Sequence, residues 1–414
     1  MKTERFLLMA LMTFVILITA SCSSDKGETK YFVGTNFWYG AILGAPEGSP
    51  GSDRERLHHE LDEMKKIGIT NLRVLVGADG EDDSDVKIRP SLQKAPGVYN
   101  DDILAGLDYL LEQMELRGMK AVLYINNSWE WSGGYGTYLE WAGKGKTPDT
   151  RADGYGKYTE FVSQFVTCQE AKELFFNHVR YIVKRFRSSD AIYSWQIGNE
   201  PRCFSSDTTA QNAFVEFVDK TSRIIKSIDR KHSVSIGSEG MCGCEGSYEL
   251  FEKIHACPEI DYITIHIWPF NWGWVRENTI VENLPTALAY TDEYIDRSLE
   301  IAERLDKDMI IEEFGFPRDG FEFRQGTPVT ARDAYYSHIF NKIVKSKKNG
   351  GRLIGANFWG WGGIATQNPE HIYWKEGDDY CGDPSQEQQG LNSVYISDTT
   401  TTSLIKKFNE ELRK

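Results

Sequence analysis

Short apolar runs recur along the chain at 31–37, 71–76, 120–125, 191–197, 233–236, 262–267, 309–311 and 353–358. Each is short and bounded by polar or aromatic clusters, as buried strands are. Between them the apolar positions fall three or four apart. Leu57, Leu61, Met64 and Ile67 do so within 53–67, which is the spacing of one helix face. The stretch 103–116 has the same character and stops before Gly118, a natural C-terminal stop. Further amphipathic stretches cover 171–187, 210–228, 248–255, 287–305, 331–347 and 402–412. Strand followed by helix, eight times over, predicts an α/β fold with a parallel sheet, most economically a closed (β/α)8 TIM barrel. An open doubly wound sheet is the alternative. It is weakened because no Gly-rich dinucleotide turn follows the first run.

The connections are unequal. Those after the third, sixth and eighth runs are long: 127–167, 268–284 and 360–401. In a barrel all three lie at the C-terminal face, where catalytic groups gather. They are full of Trp, Tyr and Gly, a composition that argues against disorder.

The N-terminus breaks the rhythm. Lys2 and Arg5 precede an apolar run, 6–20, that ends in Ala20-Ser21-Cys22. This is the layout of a secretory signal, and the run is short for a membrane span. Cys22 after Ala-Ser resembles a bacterial lipobox, with Thr19 where Leu or Val is usual. The expectation is a signal peptide over 1–21, a lipidated tether over 22–30 and one catalytic domain over 31–414. The protein is then an exported outer-membrane or cell-surface lipoprotein that touches membrane only through the lipid on Cys22. Ordinary cleavage with a free Cys22 is the alternative.

Composition narrows the classes. With 40% hydrophobic and 26% charged residues the chain is globular. Its net charge of −14 and its lack of a basic tract argue against a nucleic-acid partner. Export permits disulfides among Cys168, Cys203, Cys242, Cys244, Cys257 and Cys381, but spacing does not assign them. Cys242 and Cys244 with His255 and Cys257 fit no common zinc spacing. No metal or cofactor is expected.

The chemistry sits at two strand ends. The fourth run leads into Gly198-Asn199-Glu200-Pro201, and the seventh into Glu312-Glu313-Phe314-Gly315. Taken singly, these could be a polar turn and an exposed strand end. Taken together, two carboxylates across a barrel mouth suit glycoside hydrolysis. One must be protonated and the other charged, so their surroundings must split their pKa values.

Several stretches carry a resemblance to glycoside hydrolase family 5, with most likeness to its β-mannanases. They are Leu72-Arg73-Val74, Tyr124 to Trp129, Ser194 to Cys203, Ile236 to Gly240, Thr264 to Pro269, Ile311 to Gly315 and Phe358 to Trp361. The resemblance implies Glu200 as acid/base and Glu313 as nucleophile, the latter because it directly precedes Phe-Gly. Strand alternation says only that one of Glu312 and Glu313 faces the axis. By the same resemblance Asn199 bonds the sugar 2-hydroxyl, Arg73 holds the nucleophile charged and His266 lines the site. Trp359 forms the floor, and Asn127, Trp129 and Trp268 add substrate contacts. Trp268 departs from the family, many of whose members have a Tyr hydroxyl on the nucleophile there; an indole N–H donates but is no hydroxyl.

The implied activity is that of a monomeric, retaining endo-β-1,4-mannanase on mannan, glucomannan or galactomannan. A β-1,4-glucanase and a non-catalytic glycan-binding lipoprotein are the alternatives. The aromatic content of 13% then has a use. Trp129, Trp131, Trp141, Trp268, Trp272, Trp274, Trp359 and Trp361 all follow strand ends, where flat sugar faces could pack on them. Trp141 and Tyr155 could equally be loop cores, and Phe175, Phe176, Phe214 and Phe217 belong to helix faces.

Overall fold

A computed structural model describes residues 29–414. The leader and Cys22 lie outside the described residues. Eight strands form one sheet: β1 Phe32–Asn36, β2 Asn71–Leu75, β3 Lys120–Tyr124, β4 Ile192–Gln196, β5 Ser233–Ser235, β6 Ile263–Ile267, β7 Met309–Phe314 and β8 Leu353–Phe358. Their order is β5-β4-β3-β2-β1-β8-β7-β6, with every neighbouring pair parallel. The edges β5 and β6 are drawn together without a ladder. Asp261 N–H donates to the Val234 carbonyl at 2.8 Å, and Ser238 N–H donates to Thr264 Oγ1 at 2.9 Å. The architecture is the expected (β/α)8 barrel.

Eight helices alternate with these strands: α1 Arg54–Lys66, α2 Asp101–Glu115, α3 Gln169–Phe186, α4 Thr208–Ile228, α5 Tyr248–His255, α6 Leu284–Leu305, α7 Thr330–Lys348 and α8 Thr399–Arg413. Several begin before the apolar periodicity does, because a cap sets the start. Asn100 accepts from Asp102 N–H, and Asp207 accepts from the N–H groups of Thr209 and Ala210. These side chains occupy donors that the first helical turn leaves free. Phe175 and Phe176 on α3 and Phe214 and Phe217 on α4 are buried, as their spacing predicts.

The long connections are where the sequence pattern is silent. Residues 127–167 contain two extra helices, Gly134–Trp141 and Tyr155–Val162. Tertiary contacts order them: Tyr135 stacks on Phe165 at 3.8 Å, and Tyr158 donates to the Ser128 carbonyl at 2.7 Å. Residues 360–398 are mostly irregular yet firmly pinned. Glu60 of α1 accepts from Trp361 Nε1 at 2.7 Å. Buried Arg318 pairs with Asp398 at 2.6 Å. Asp383 accepts from the backbone N–H groups of Gly390, Asn392 and Ser393 at 2.9–3.0 Å.

Candidate active site

The C-terminal ends of β2, β4, β6 and β7 bring their polar residues to one point. Arg73 on β2 is fully buried and spends its donors on four neighbours. Nε bonds Gln196 Oε1 at 2.7 Å, Nη1 bonds Asn36 Oδ1 at 3.0 Å, and Nη2 bonds Asn199 Oδ1 at 2.9 Å. Its fourth partner is the Glu313 carboxylate. β7 runs on through Phe314, so Glu312 and Glu313 both lie within a strand and face different ways. Glu312 is held inside the barrel by Asn357 at 2.8 Å and Tyr262 at 3.1 Å. Glu313 meets Arg73, Trp268 and His266.

Glu200 stands opposite. Its backbone is left-handed (φ 51°), an uncommon state for a residue with a Cβ. Trp129 Nε1 donates to its Oε2 at 2.5 Å, and His266 Nδ1 lies 2.9 Å from its Oε1. The same His266 nitrogen is 3.3 Å from Glu313 Oε2. Burial pushes the His266 pKa far down, helped by Arg73, which favours the neutral ring. Among the described residues, Glu200, His266 and Glu313 are the one set of donors close enough to share a metal ion, all within 4.8 Å. Arg73 already supplies Glu313 with positive charge, so a cation there would meet repulsion.

Burial raises both carboxyls of the pair, and the cations near them differ. Arg73 is bonded directly to Glu313 and opposes its protonation. The cation that acts most on Glu200 is Arg202, which is paired with Glu239 instead. Arg73 thus favours the charged form of Glu313 through a direct bond that Glu200 lacks.

The cleft over this cluster holds about 490 Å³. Asn199, Glu200, Glu313, Trp129, Trp268 and Trp359 line it, as the sequence leads one to expect. Trp359 borders it with its Nε1 unpartnered. The Trp268 indole takes over the Tyr contact, donating to Glu313 Oε2 at 3.2 Å. Asn127 stands behind the wall: its side chain accepts from Asn199 Nδ2 at 3.2 Å and from Trp129 N–H at 3.0 Å. It positions two lining residues and does not itself face the cleft. Tyr155 is 55% exposed and lines the cleft, whereas Trp141 packs on Tyr138 at 5.2 Å as loop core.

Arg202, Glu239, Gln386 and Glu387 are among the lining residues that had no assignment from sequence. Arg202 and Glu239 were findable, since both closely follow strand ends within motif stretches. Burial pushes Glu239 up to about 7 despite Arg202 beside it. Glu387 is pushed up to about 8 by burial and by nearby Asp383 and Glu200. Gln386 and Glu387 lie in irregular chain, where no periodicity marks them.

A parallel eight-stranded barrel with two close carboxylates and an aromatic-walled cleft defines a glycoside hydrolase. The chain belongs to glycoside hydrolase family 5: the family model described as "GH family 5 beta-mannosidase-like" matches residues 14–414. It is similar to the family 5 mannosidase of Rhizomucor miehei, at 32% identity and a TM-score of 0.83 over 94% of this chain and 96% of that one. An alanine variant of that enzyme has been solved with mannosyl-fructose. Mannan endo-1,4-beta-mannosidase 1 of Oryza sativa subsp. japonica is 28% identical over 80% of this chain and 75% of that protein. The endo-1,4-beta-mannanase of Rhizomucor miehei shares the fold, at a TM-score of 0.63 and 21% identity over 92% and 94% of the two chains.

Proposed function

We propose that this site hydrolyses β-1,4-mannosidic bonds with retention of anomeric configuration. One observation supports retention above others: the carboxylate oxygens of Glu200 and Glu313 come within 4.8 Å of each other. Retaining enzymes need about 5–5.5 Å between the carboxyls, whereas inverting ones leave about 6.5–9.5 Å for a water. In this reading Glu200 donates its proton to the glycosidic oxygen as Glu313 attacks the anomeric carbon. The C1–O bond breaks, an ester to Glu313 forms and the leaving sugar departs with the proton. Glu200, now charged, takes a proton from water, which attacks C1 and frees Glu313. Arg73 keeps Glu313 anionic before attack, and Asn199 is placed to bond the 2-hydroxyl. The curated plant relatives support mannan-type chains as substrate. NMR of the first product from mannohexaose should show the β-anomer; the α-anomer would refute the mechanism.

Internal (endo) cleavage is the mode those relatives favour. Release from chain ends is a second reading, favoured by one end of the cleft. There Arg151 Nη2 bonds the Ser385 carbonyl at 3.2 Å and its guanidinium lies 4.2 Å from the Tyr373 ring centre, which links two long connections. Gln386 and Glu387 stand beside this bridge. The greater likeness to the Rhizomucor miehei mannosidase than to the same fungus's endo-mannanase points the same way. Early products from unbranched mannan separate the two modes: mixed oligosaccharides mean internal cleavage, and mannose alone means release from ends. We also propose export as a lipoprotein; labelled palmitate should enter wild type but not Cys22→Ala.

A further inference from the structure

The Glu312 carboxyl has no part in the chemistry proposed above, yet it is fully buried one residue before Glu313. Burying an ionisable group is costly, and its bonds must offset that cost. Four hydrogen bonds lead to it from Arg73. Arg73 Nε donates to Gln196 Oε1 at 2.7 Å, and Gln196 Nε2 donates to Ser235 Oγ at 3.1 Å. Ser235 Oγ donates to the Tyr262 hydroxyl at 3.0 Å, and that hydroxyl donates to Glu312 Oε1 at 3.1 Å. All five residues are buried, and neither Ser235 nor Tyr262 lines the cleft. The path runs from β2 through β4 to β5, steps over the seam between β5 and β6 where no ladder forms, and ends on β7.

Both ends fix the direction of every bond. A guanidinium only donates, so the Gln196 amide oxygen faces Arg73 and its NH2 faces Ser235. Ser235 accepts there and gives its own proton to Tyr262, whose proton is left for Glu312. A carboxylate only accepts, so the chain cannot run the other way. Glu312 thereby keeps the Gln196 amide from turning round and setting an NH2 against the Arg73 N–H. A second arm joins the same two residues. Asn36 Oδ1 accepts from Arg73 Nη1 at 3.0 Å, and Asn36 Nδ2 donates to the Glu312 carbonyl at 2.9 Å.

We propose that Glu312 is a positioning residue: through Tyr262, Ser235 and Gln196 it fixes the seat of Arg73, and with it the orientation in which Arg73 meets Glu313 and Asn199. It touches no substrate, and no proton moves along the chain. The inference rests on the role of Glu313 as nucleophile in the mechanism proposed above.

The test compares Ser235→Ala, Tyr262→Phe and the double variant with wild type on mannohexaose. Each single change cuts the chain and leaves Arg73, Glu313 and the cleft in place. kcat should fall about three- to tenfold in each, with KM within about twofold. The double variant should lose no more than the worse single one, because a chain already cut is not cut again. Glu313 is faced by Arg73, His266, Trp268 and Glu200. Burial raises its pKa and Arg73 opposes that rise most, so a loosened Arg73 lets it rise further. The mechanism needs Glu313 charged and fails as pH falls through that pKa, so the acidic limb of kcat/KM should move to higher pH. Glu312→Gln keeps an acceptor for Tyr262, and the unpartnered Asn357 Oδ1 can turn to meet its NH2. It should therefore recover most of the loss seen in Glu312→Leu. A fall in Tm with an unmoved pH profile would make the chain mere scaffold and overturn the proposal. Multiplying losses in the double variant would also overturn it, as would a Glu312→Gln variant as poor as Glu312→Leu. Should wild type leave mannohexaose uncut, the preceding reading fails instead. The chain is then read by NMR of protein labelled with nitrogen-15 arginine. The Arg73 Nε–H signal, identified by its absence in Arg73→Lys, should shift in Ser235→Ala, and an unmoved signal refutes the proposal.

Discussion

Two buried polar regions of this enzyme are built on opposite terms. At the barrel mouth the side chains satisfy one another. Arg73 has four partners, Asn199 uses its amide oxygen on Arg73 and its nitrogen on Asn127, and Glu200 lies between Trp129 and His266. In the connection after β8, Asp383 is saturated by backbone N–H groups. Three residues later, Gln386 Oε1, Glu387 Oε2 and Gln388 Oε1 are buried without a partner. Buried acceptors left unpaired are rare and each carries a penalty of about 1–3 kcal/mol. The mouth still leaves the ring nitrogens His266 Nε2 and Trp359 Nε1 free, whereas the segment at its rim is fixed in place with carbonyl and carboxylate acceptors free.

That contrast can be broken in graded steps. Glu313→Ala removes the attacking group and should lower kcat by at least ~10³-fold with the circular dichroism spectrum unchanged. Near-normal turnover would sink the assignment. Arg73→Ala should lower kcat/KM about 10²- to 10³-fold and also lower the melting temperature, because three buried partners and a carboxylate lose their donor. A loss of activity with no loss of stability would mean that the mouth is less tightly coupled than its bonds suggest. Glu387→Ala at the rim should raise KM about five- to twentyfold and leave Tm nearly unchanged or higher, since it deletes an unpaired acceptor. A clear drop in Tm would show Glu387 to be part of the scaffold.

The smallest effect is a pH shift. The Trp129 indole N–H donates to Glu200 and favours its charged form. Trp129→Phe removes that donor, so the Glu200 pKa, already raised by burial, rises further. The proposed mechanism needs Glu200 protonated, so activity should be lost as pH rises through that pKa. The basic limb of kcat/KM should therefore move to higher pH. A shift to lower pH would contradict the bond.

The sequence was most informative where local rules act. Alternating apolar runs and helix-period stretches were enough for the barrel, because each strand must be apolar on both faces and each helix on one. Glu200 and Glu313 could be singled out because one lies just beyond strand four and the other near the end of strand seven of eight. Glu239 was legible but passed over, although it follows β5 within a motif stretch. Trp268 teaches a subtler point: a residue without a hydroxyl still donates to the Glu313 carboxylate, through its indole N–H.

What only the tertiary structure decided depends on distance along the chain. The resemblance chose Glu313 over Glu312, but their different surroundings came from strand orientation, which puts Asn357 and Tyr262 around Glu312 and Arg73 around Glu313. Asn127 moved from sugar contact to support because Asn199, 72 residues away, claims its side chain. Glu387 has no local signature at all, and its place at the rim follows from Asp383 and the buried pair Arg318–Asp398. Periodicity and capping are set by neighbours within a few residues and can be read from the chain. The partners of a buried polar atom are set by the closure of the barrel, and no local pattern encodes them.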